Sequence, residues 1–318
     1  MKAIGGYFGL ELQEKQEYHP EAIGLNTGRN ALEYILMANK YKKLYLPFYS
    51  CDVLLEPLQH NNIEHEFYRI DENFEPLFDF KKIQENEAFL YINYFGLKEN
   101  YVKEIASHCK NLIIDSSQSF FSMPISGIDT FYSPRKFLGV PDGGYAYSKL
   151  KLESELQKDI SFKRCEHLLK RIDISAEEGY ASFVANDHNL NNEPIKIISD
   201  LTKSFLTSFD YKAIATRRKN NFNYLHHLLK GKNRLKIDDA DENIPMVYPF
   251  WQEDETLKSR LLQNKIYTAT YWPNVFEWCK EGDLEYKMAR EIIYLPIDQR
   301  YSENDLDRIL EIIKNQIQ

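Results

Sequence analysis

Lys136 is the side chain around which chemistry could be organised. It ends the run Ser133-Pro134-Arg135-Lys136, which follows one apolar strand pattern and precedes Gly143-Gly144 at the start of another. A lysine on a loop between strands is ordinarily a solvated cation. Held in the right surroundings, its amine becomes a nucleophile toward a carbonyl, because burial and nearby cations lower its pKa. Asp115, 21 residues earlier, ends the run Leu112-Ile113-Ile114. Ligands of an open α/β sheet gather outside the carboxyl ends of its strands. An acid at such an end either caps the following turn or faces a ligand. In the second case it could keep a pyridine-type ring nitrogen protonated, and a cationic ring accepts electrons from a breaking bond.

Other residues could hold such a ligand. Asn26-Thr27-Gly28-Arg29-Asn30 opens a strong helical pattern. Glycine admits close approach to the backbone, and the free amides of a helix N-terminus attract phosphate. An ordinary capped helix begins with the same residue types. Ser133 adds a hydroxyl within reach of a phosphate. Pro47-Phe48-Tyr49-Ser50-Cys51 follows the run Leu44-Tyr45-Leu46. Its aromatics stand at a strand's carboxyl end, where a ring either stacks on a flat ligand or fills the core.

These groups need a frame. Over the first half, helices are expected at 31–42, 53–60 and 101–109, and strands at 44–47, 66–70, 89–94, 112–114, 130–132 and 145–147. Strands separated by helices require crossover connections, and therefore a largely parallel sheet covered on both faces. Beyond Lys149 the pattern changes. Residues 150–172 read as charged helix, 186–194 as an Asn-rich loop, and 195–229 as helix with a bend near Asp210. After a charged connection at 231–243, strands at 245–251, 266–271 and 292–296 alternate with helices at 257–264, 284–292 and 304–317. The expected architecture is α/β, with a large domain over 1–230 and a smaller α/β domain over 231–318. In the large domain helices sandwich a mostly parallel sheet.

A chain of 318 residues, 43% hydrophobic and 14% aromatic, can bury a substantial core. Forty basic residues against forty-eight acidic ones give a net charge of −8, and no basic stripe points to nucleic acid. No apolar run approaches the roughly 20 residues of a membrane helix, and Met1 to Gly9 lacks the apolar core of a signal peptide. A soluble, cytoplasmic protein is expected. Cys51, Cys109, Cys165 and Cys279 form no Cys-x-x-Cys pair, so neither zinc nor a redox dithiol is indicated. The adjacent His226 and His227 point apart on a helix, and no metal is expected. Tyr271-Trp272-Pro273 and Trp278 either line a substrate mouth or pack the core of the small domain.

Taken in order, several stretches resemble the DegT/DnrJ-type sugar aminotransferases, a pyridoxal-5′-phosphate (PLP) family of the aspartate-aminotransferase fold. They are Gly5-Gly6-Tyr7-Phe8-Gly9, Asn26 to Leu32, Pro47 to Cys51, Ile114-Asp115-Ser116-Ser117-Gln118-Ser119, Ser133 to Lys136 with Gly143-Gly144, and Leu295-Pro296-Ile297. The resemblance spans most of the chain. It implies that Lys136 forms the Schiff base and that Asp115 faces the pyridine nitrogen. It also implies that Gln118 lies near the 3-hydroxyl oxygen and that Gly28 and Arg29 cradle the phosphate, chiefly through backbone amides. Ser133 is implied as a phosphate contact, and Tyr49 as the ring-stacking aromatic. An amino acid such as glutamate is the implied donor, a sugar or other small carbonyl compound the acceptor, and a homodimer the working form. The chain is shorter than most such enzymes, and the Asn-Tyr-Arg-like segment that reaches the partner's cofactor is not recognisable; residues 176–206 stand in its place. Two other readings follow: a PLP-dependent dehydratase or lyase, whose members often carry histidine in place of this lysine, and a non-catalytic or regulatory relative.

Overall fold

Short apolar runs joined by amphipathic helices assemble here into one sheet. The computed structural model describes residues 4–237 and 243–314. The first half runs β1 (Ile23–Leu25), α1 (Gly28–Asn39), β2 (Lys43–Pro47), α2 (Glu56–His60), β3 (Glu64–Ile70), β4 (Pro76–Leu77), β5 (Glu87–Ile92), α3 (Glu99–Ala106), β6 (Leu112–Asp115), β7 (Asp129–Tyr132) and β8 (Gly144–Tyr147). All eight strands share a sheet of order β1-β8-β7-β6-β5-β2-β3-β4. The central five, β7-β6-β5-β2-β3, are parallel. The outer strands β8, β1 and β4 are antiparallel to their neighbours. Nearly every residue of β2, β5 and β6 is buried, as covering both faces of a parallel sheet demands.

Helix α1 starts three residues before its expected position. Thr27 caps it, its side chain accepting the Asn30 amide. It also stops early, because Lys40 adopts a left-handed conformation (φ 57°) and returns its amide to the carbonyls of Leu36 and Met37. Leu32, Ile35 and Leu36 are fully buried along its inner side.

The second half departs further from expectation. It contains α4 (Glu166–Asp173), α5 (Ala176–Asn189), α6 (Asp200–Leu206), α7 (Tyr211–Leu229), β9 (Val247–Trp251), α8 (Leu257–Gln263), α9 (Val275–Trp278), α10 (Leu284–Glu291), β10 (Ile292–Pro296) and α11 (Glu303–Lys314). Of the charged helix expected at 150–172, only α4 and a short 3-10 turn ahead of it form. Arg164 is not part of a solvated helix face; it bonds the buried carboxylate of Asp142 at 2.8 Å and also bridges to Asp159. The Asn-rich stretch begins inside α5, which packs against α4 as a hairpin. The helix expected at 195–229 is two helices; Asp210 caps the second by accepting the Ala213 amide. The strand expected at 266–271 has no ladder partner among the described residues; β9 and β10 pair with each other. Part of the connection at 231–243 and the end of the last expected helix lie outside the described residues.

A second hydrophobic core forms where α7, α8 and α11 pack on the β9–β10 ribbon. The ribbon serves both cores by period-2 alternation. Ile292, Tyr294 and Trp251 face the main core, whereas Ile293, Leu295 and Phe250 face the second. Phe222, Leu225 and Leu229 of α7 join the second core, and Ile214 joins the first, so one helix spans both.

The sheet and α1 meet at Gly144. A Cβ there would stand 2.1 Å from the Thr27 carbonyl oxygen and 2.7 Å from the Gly28 nitrogen. Gly144→Ala should therefore force α1 off β8 and cost ~3 kcal/mol or more in urea unfolding, by overpacking against rigid backbone. Gly231→Ala, with open space around it, should change stability by less than about 0.5 kcal/mol.

Candidate active site

Two parallel neighbours, β6 and β7, bring the candidate groups together at their carboxyl ends. β6 ends on Asp115, and the chain leaving β7 makes a 3-10 turn over Pro134–Lys136. Lys136 is exposed, and its Nζ donates to Ser117 Oγ at 3.0 Å. The Ser117 amide in turn donates to Asp115 Oδ1 at 2.8 Å. One serine thus ties the acid to the lysine. Sequence reasoning gave Ser117 no role, although an Asp with a serine two places on is the signature of a side-chain-to-backbone turn.

Asp115 is 4% exposed. Burial pushes its carboxyl above the ordinary value, while the Lys136 charge and the Ser117 bonds pull it down. Lys136 acts on it from beyond ion-pair distance, since no salt bridge joins them. A buried acid in this condition would be relieved by a cationic group brought directly against it.

The helix start lies beside the lysine turn. A Cβ on Gly28 would be 3.1 Å from the Ser133 Cβ and 3.6 Å from its Oγ. The N-terminus of the twelve-residue α1 and the Ser133 hydroxyl therefore form one cradle. Arg29 contributes to it only through its backbone: its guanidinium is taken by Glu56 Oε2 at 2.7 Å and Asn191 Oδ1 at 2.6 Å. Gln118 is fully buried, and its Oε1 accepts the Phe95 amide at 3.1 Å. Its Nε2 has no acceptor among the described residues. A donor left in this state fits a ligand oxygen.

The structure does not bring Tyr49 into this group. Its ring is fully buried, edge-on to Trp272 at 5.2 Å, and its hydroxyl bonds the Tyr294 hydroxyl. Cys51, two residues on, is half-buried and feels the Lys136 charge; burial pushes its thiol up to about 11. An aromatic at a strand end was readable from sequence, but which residue of the turn faces the lysine was not.

The residues present fit PLP: an amine for its aldehyde, a buried acid for its ring nitrogen, a helix-start cradle for its phosphate, and an unsatisfied amide. No group of three or more metal-ligating side chains occurs among the described residues, and none of their helices is long and apolar enough to cross a membrane.

No family model and no curated protein matches the sequence. Solved structures do match it. DesV of S. venezuelae, solved in complex with a ketimine intermediate, superimposes with a TM-score of 0.66 at 15% identity over 93% of this chain and 84% of that one. A putative sugar aminotransferase from Streptococcus pneumoniae, in its PLP form, gives 0.64 at 16% over 92% and 86%. A DegT DnrJ EryC1 StrS aminotransferase from Brucella abortus gives 0.60 at 16% over 92% and 85%. At these identities the likeness is one of fold, and this chain has that fold.

The strained acid yields a test in the protein without cofactor. A carboxyl whose folded pKa is raised costs stability as pH climbs above its unfolded value, near 3.8. Asp115→Asn, which keeps the acceptor for the Ser117 amide, should melt above wild type at pH 7. The gap should close as the pH falls toward 4. Equal melting temperatures at pH 7 would show that burial does not strain this group.

Proposed function

We propose that the chain is a PLP-dependent aminotransferase that moves an amino group from an amino acid, glutamate first among candidates, to a sugar or other small carbonyl compound. The observation that carries this is the convergence of Lys136, Ser117 and Asp115 at adjacent strand ends beside the Gly28–Ser133 cradle. A fold shared with solved aminotransferases supports it.

Bound PLP would supply an electron sink for a bond broken at the donor α-carbon. Lys136 would hold the cofactor aldehyde as a Schiff base. The amides of Gly28 and Arg29, with the Ser133 hydroxyl, would hold the phosphate. Asp115 would keep the ring nitrogen protonated, its charge then offset by contact with a cation. Gln118 Nε2 would donate to the ring's 3-oxygen. Once released by the incoming amine, Lys136 would carry a proton between the donor α-carbon and the cofactor carbon C4′.

That role needs a lysine shielded from water, and Lys136 is exposed in the single chain. A homodimer whose second subunit covers the strand ends would shield it. We further read residues 231–318 as the smaller domain, joined to the larger through Trp251, Ile292 and Tyr294 in the main core. The four unpaired cysteines fit a cytoplasmic setting.

Purified protein incubated with PLP and then reduced with borohydride should carry a phosphopyridoxyl group on Lys136, located by peptide mass spectrometry. Lys136→Ala should carry none, and Ser133→Ala should bind PLP about tenfold more weakly, the loss of one charge-assisted hydrogen bond. Glutamate should convert the bound cofactor to its amine form. An adduct absent or on another lysine defeats the proposal; an adduct at Lys136 with no amino acid able to convert the cofactor leaves a binding protein, not an aminotransferase.

A further inference from the structure

A cavity of about 430 Å³ opens on the other side of the Lys136 turn, between that turn, the α4–α5 hairpin and the segment after β10. This volume suits a small ligand. We propose that it is a second anion site, separate from the Gly28–Ser133 cradle, and that it anchors a phosphate or carboxylate group of the substrate.

The charge of the walls is one-sided. Arg135, Arg171, Arg218 and Arg300 line the cavity along with Lys136, and Asp298 is the one carboxylate among the lining residues. Asp298 is already engaged by Arg300, through two bonds of 2.7 and 2.8 Å. Arg135 has only the half-exposed Asp187 at 3.0 Å, a solvent-screened pair of little worth. Arg171 is exposed and has no ion-pair partner among the described residues.

Arg218 is the most deeply buried of these cations. It is 2% exposed, and its donors meet neutral acceptors: Gln299 Oε1 at 2.9 Å and the carbonyls of Met246 and Phe137, each at 3.1 Å. No carboxylate lies within ion-pair distance of it among the described residues. Burial lowers its pKa to about 10, with the charge of Asp298 opposing the fall in part. A guanidinium buried with no carboxylate in contact is costly, and here it adds its charge to a cavity wall that already holds other cations. Arginine forks match the planar oxygens of carboxylates and phosphates. The ring of His167, which burial and Arg135 hold below the usual imidazole value, completes the wall without adding charge at neutral pH.

Gly28 and Ser133 do not line this cavity. Lys136 therefore stands between two anion-favouring sites, one on the Ser133 side of its turn and one on the Phe137 side. The first suits a cofactor phosphate. The second suits an anion on the molecule that meets the lysine from the opposite side. Calling that molecule a substrate rests on the aminotransferase reading; the binding of an anion does not.

The test is calorimetric titration of the full chain, free of PLP, with inorganic phosphate and, in a separate arm, succinate, at ionic strength fixed with sodium chloride. At least one should bind at a site whose affinity falls tenfold or more in Arg171→Gln and that persists in Ser133→Ala, whatever phosphate the first cradle also takes up. Arg171 is exposed, so its variant should fold. No heat with either anion overturns the proposal, as does binding indifferent to Arg171→Gln. Phosphate binding lost in Ser133→Ala alone also overturns it, because the phosphate would then sit in the first cradle. Anion binding sensitive to Arg171→Gln in a protein that forms no Lys136 adduct supports the cavity and sinks the aminotransferase reading.

Discussion

The site depends on a place where two stretches of backbone meet with no side chain between them. At Gly144 the first residue of β8 lies directly under the carbonyl of Thr27, at a distance no Cβ could share. The preceding residue, Gly143, has φ +114° and donates its amide to the Asn26 carbonyl at 2.7 Å, a conformation that favours glycine. Asn26 in turn bonds the Pro194 carbonyl and the Lys196 amide through its side chain. These contacts set where α1 begins relative to the sheet. Because β8 pairs with β7, they also set the distance from the α1 amides to the turn that carries Ser133 and Lys136. The close fit of Gly28 against Ser133 is a consequence of this packing.

The electrostatics of the site follow from that geometry. Lys136 and Asp115 are joined through Ser117 without touching, so neither neutralises the other. The acid bears the cost of burial, and the lysine stays at the surface. A protein optimised for stability alone would close this gap into an ion pair or fill it with apolar side chains. Keeping opposite charges apart leaves room between them for a third group, and strained local electrostatics of this kind are common where ligands bind.

Much of this frame was legible in the residues because its signals are local. Apolar runs marked the central strands, a hydroxyl before glycine pointed to a helix start although α1 was expected to begin at residue 31, and an acid at a strand end with a lysine one strand later marked the candidate site. What was not legible depends on distant partners. The stretch at 266–271 has the residues of a strand but sends Ile266 into one core and Tyr271 toward the other, and β9 already has its partner. Arg164 and Arg218 look in sequence like any solvated arginine; only the fold buries Arg218 and sets Arg164 against buried acids. Tyr49 was implied as the stacking aromatic by the family resemblance, but its ring packs on Trp272 and its hydroxyl bonds Tyr294, and composition does not determine which way the bend after β2 faces.

The clasp around Phe137 shows how a fixed backbone and a free side chain coexist at one residue. The Phe137 carbonyl accepts from both Arg218 and Gln299 Nε2, at 3.1 and 2.8 Å, and the Phe137 amide bonds the Pro134 carbonyl at 2.9 Å. The turn is held on its other flank by Pro134, against which Gly143 packs. Arg218 and Gln299 come from α7 and from the segment after β10, elements that also build the second core. The backbone of Lys136 is thereby pinned by parts of the chain far apart in sequence, while its amine has one hydrogen bond among the described residues and lies exposed. The role proposed for Lys136 would need that combination, because the reach of an amine is defined only if its anchor does not drift. The second core therefore has a share in the site through a single carbonyl oxygen, although it lines none of the cradle.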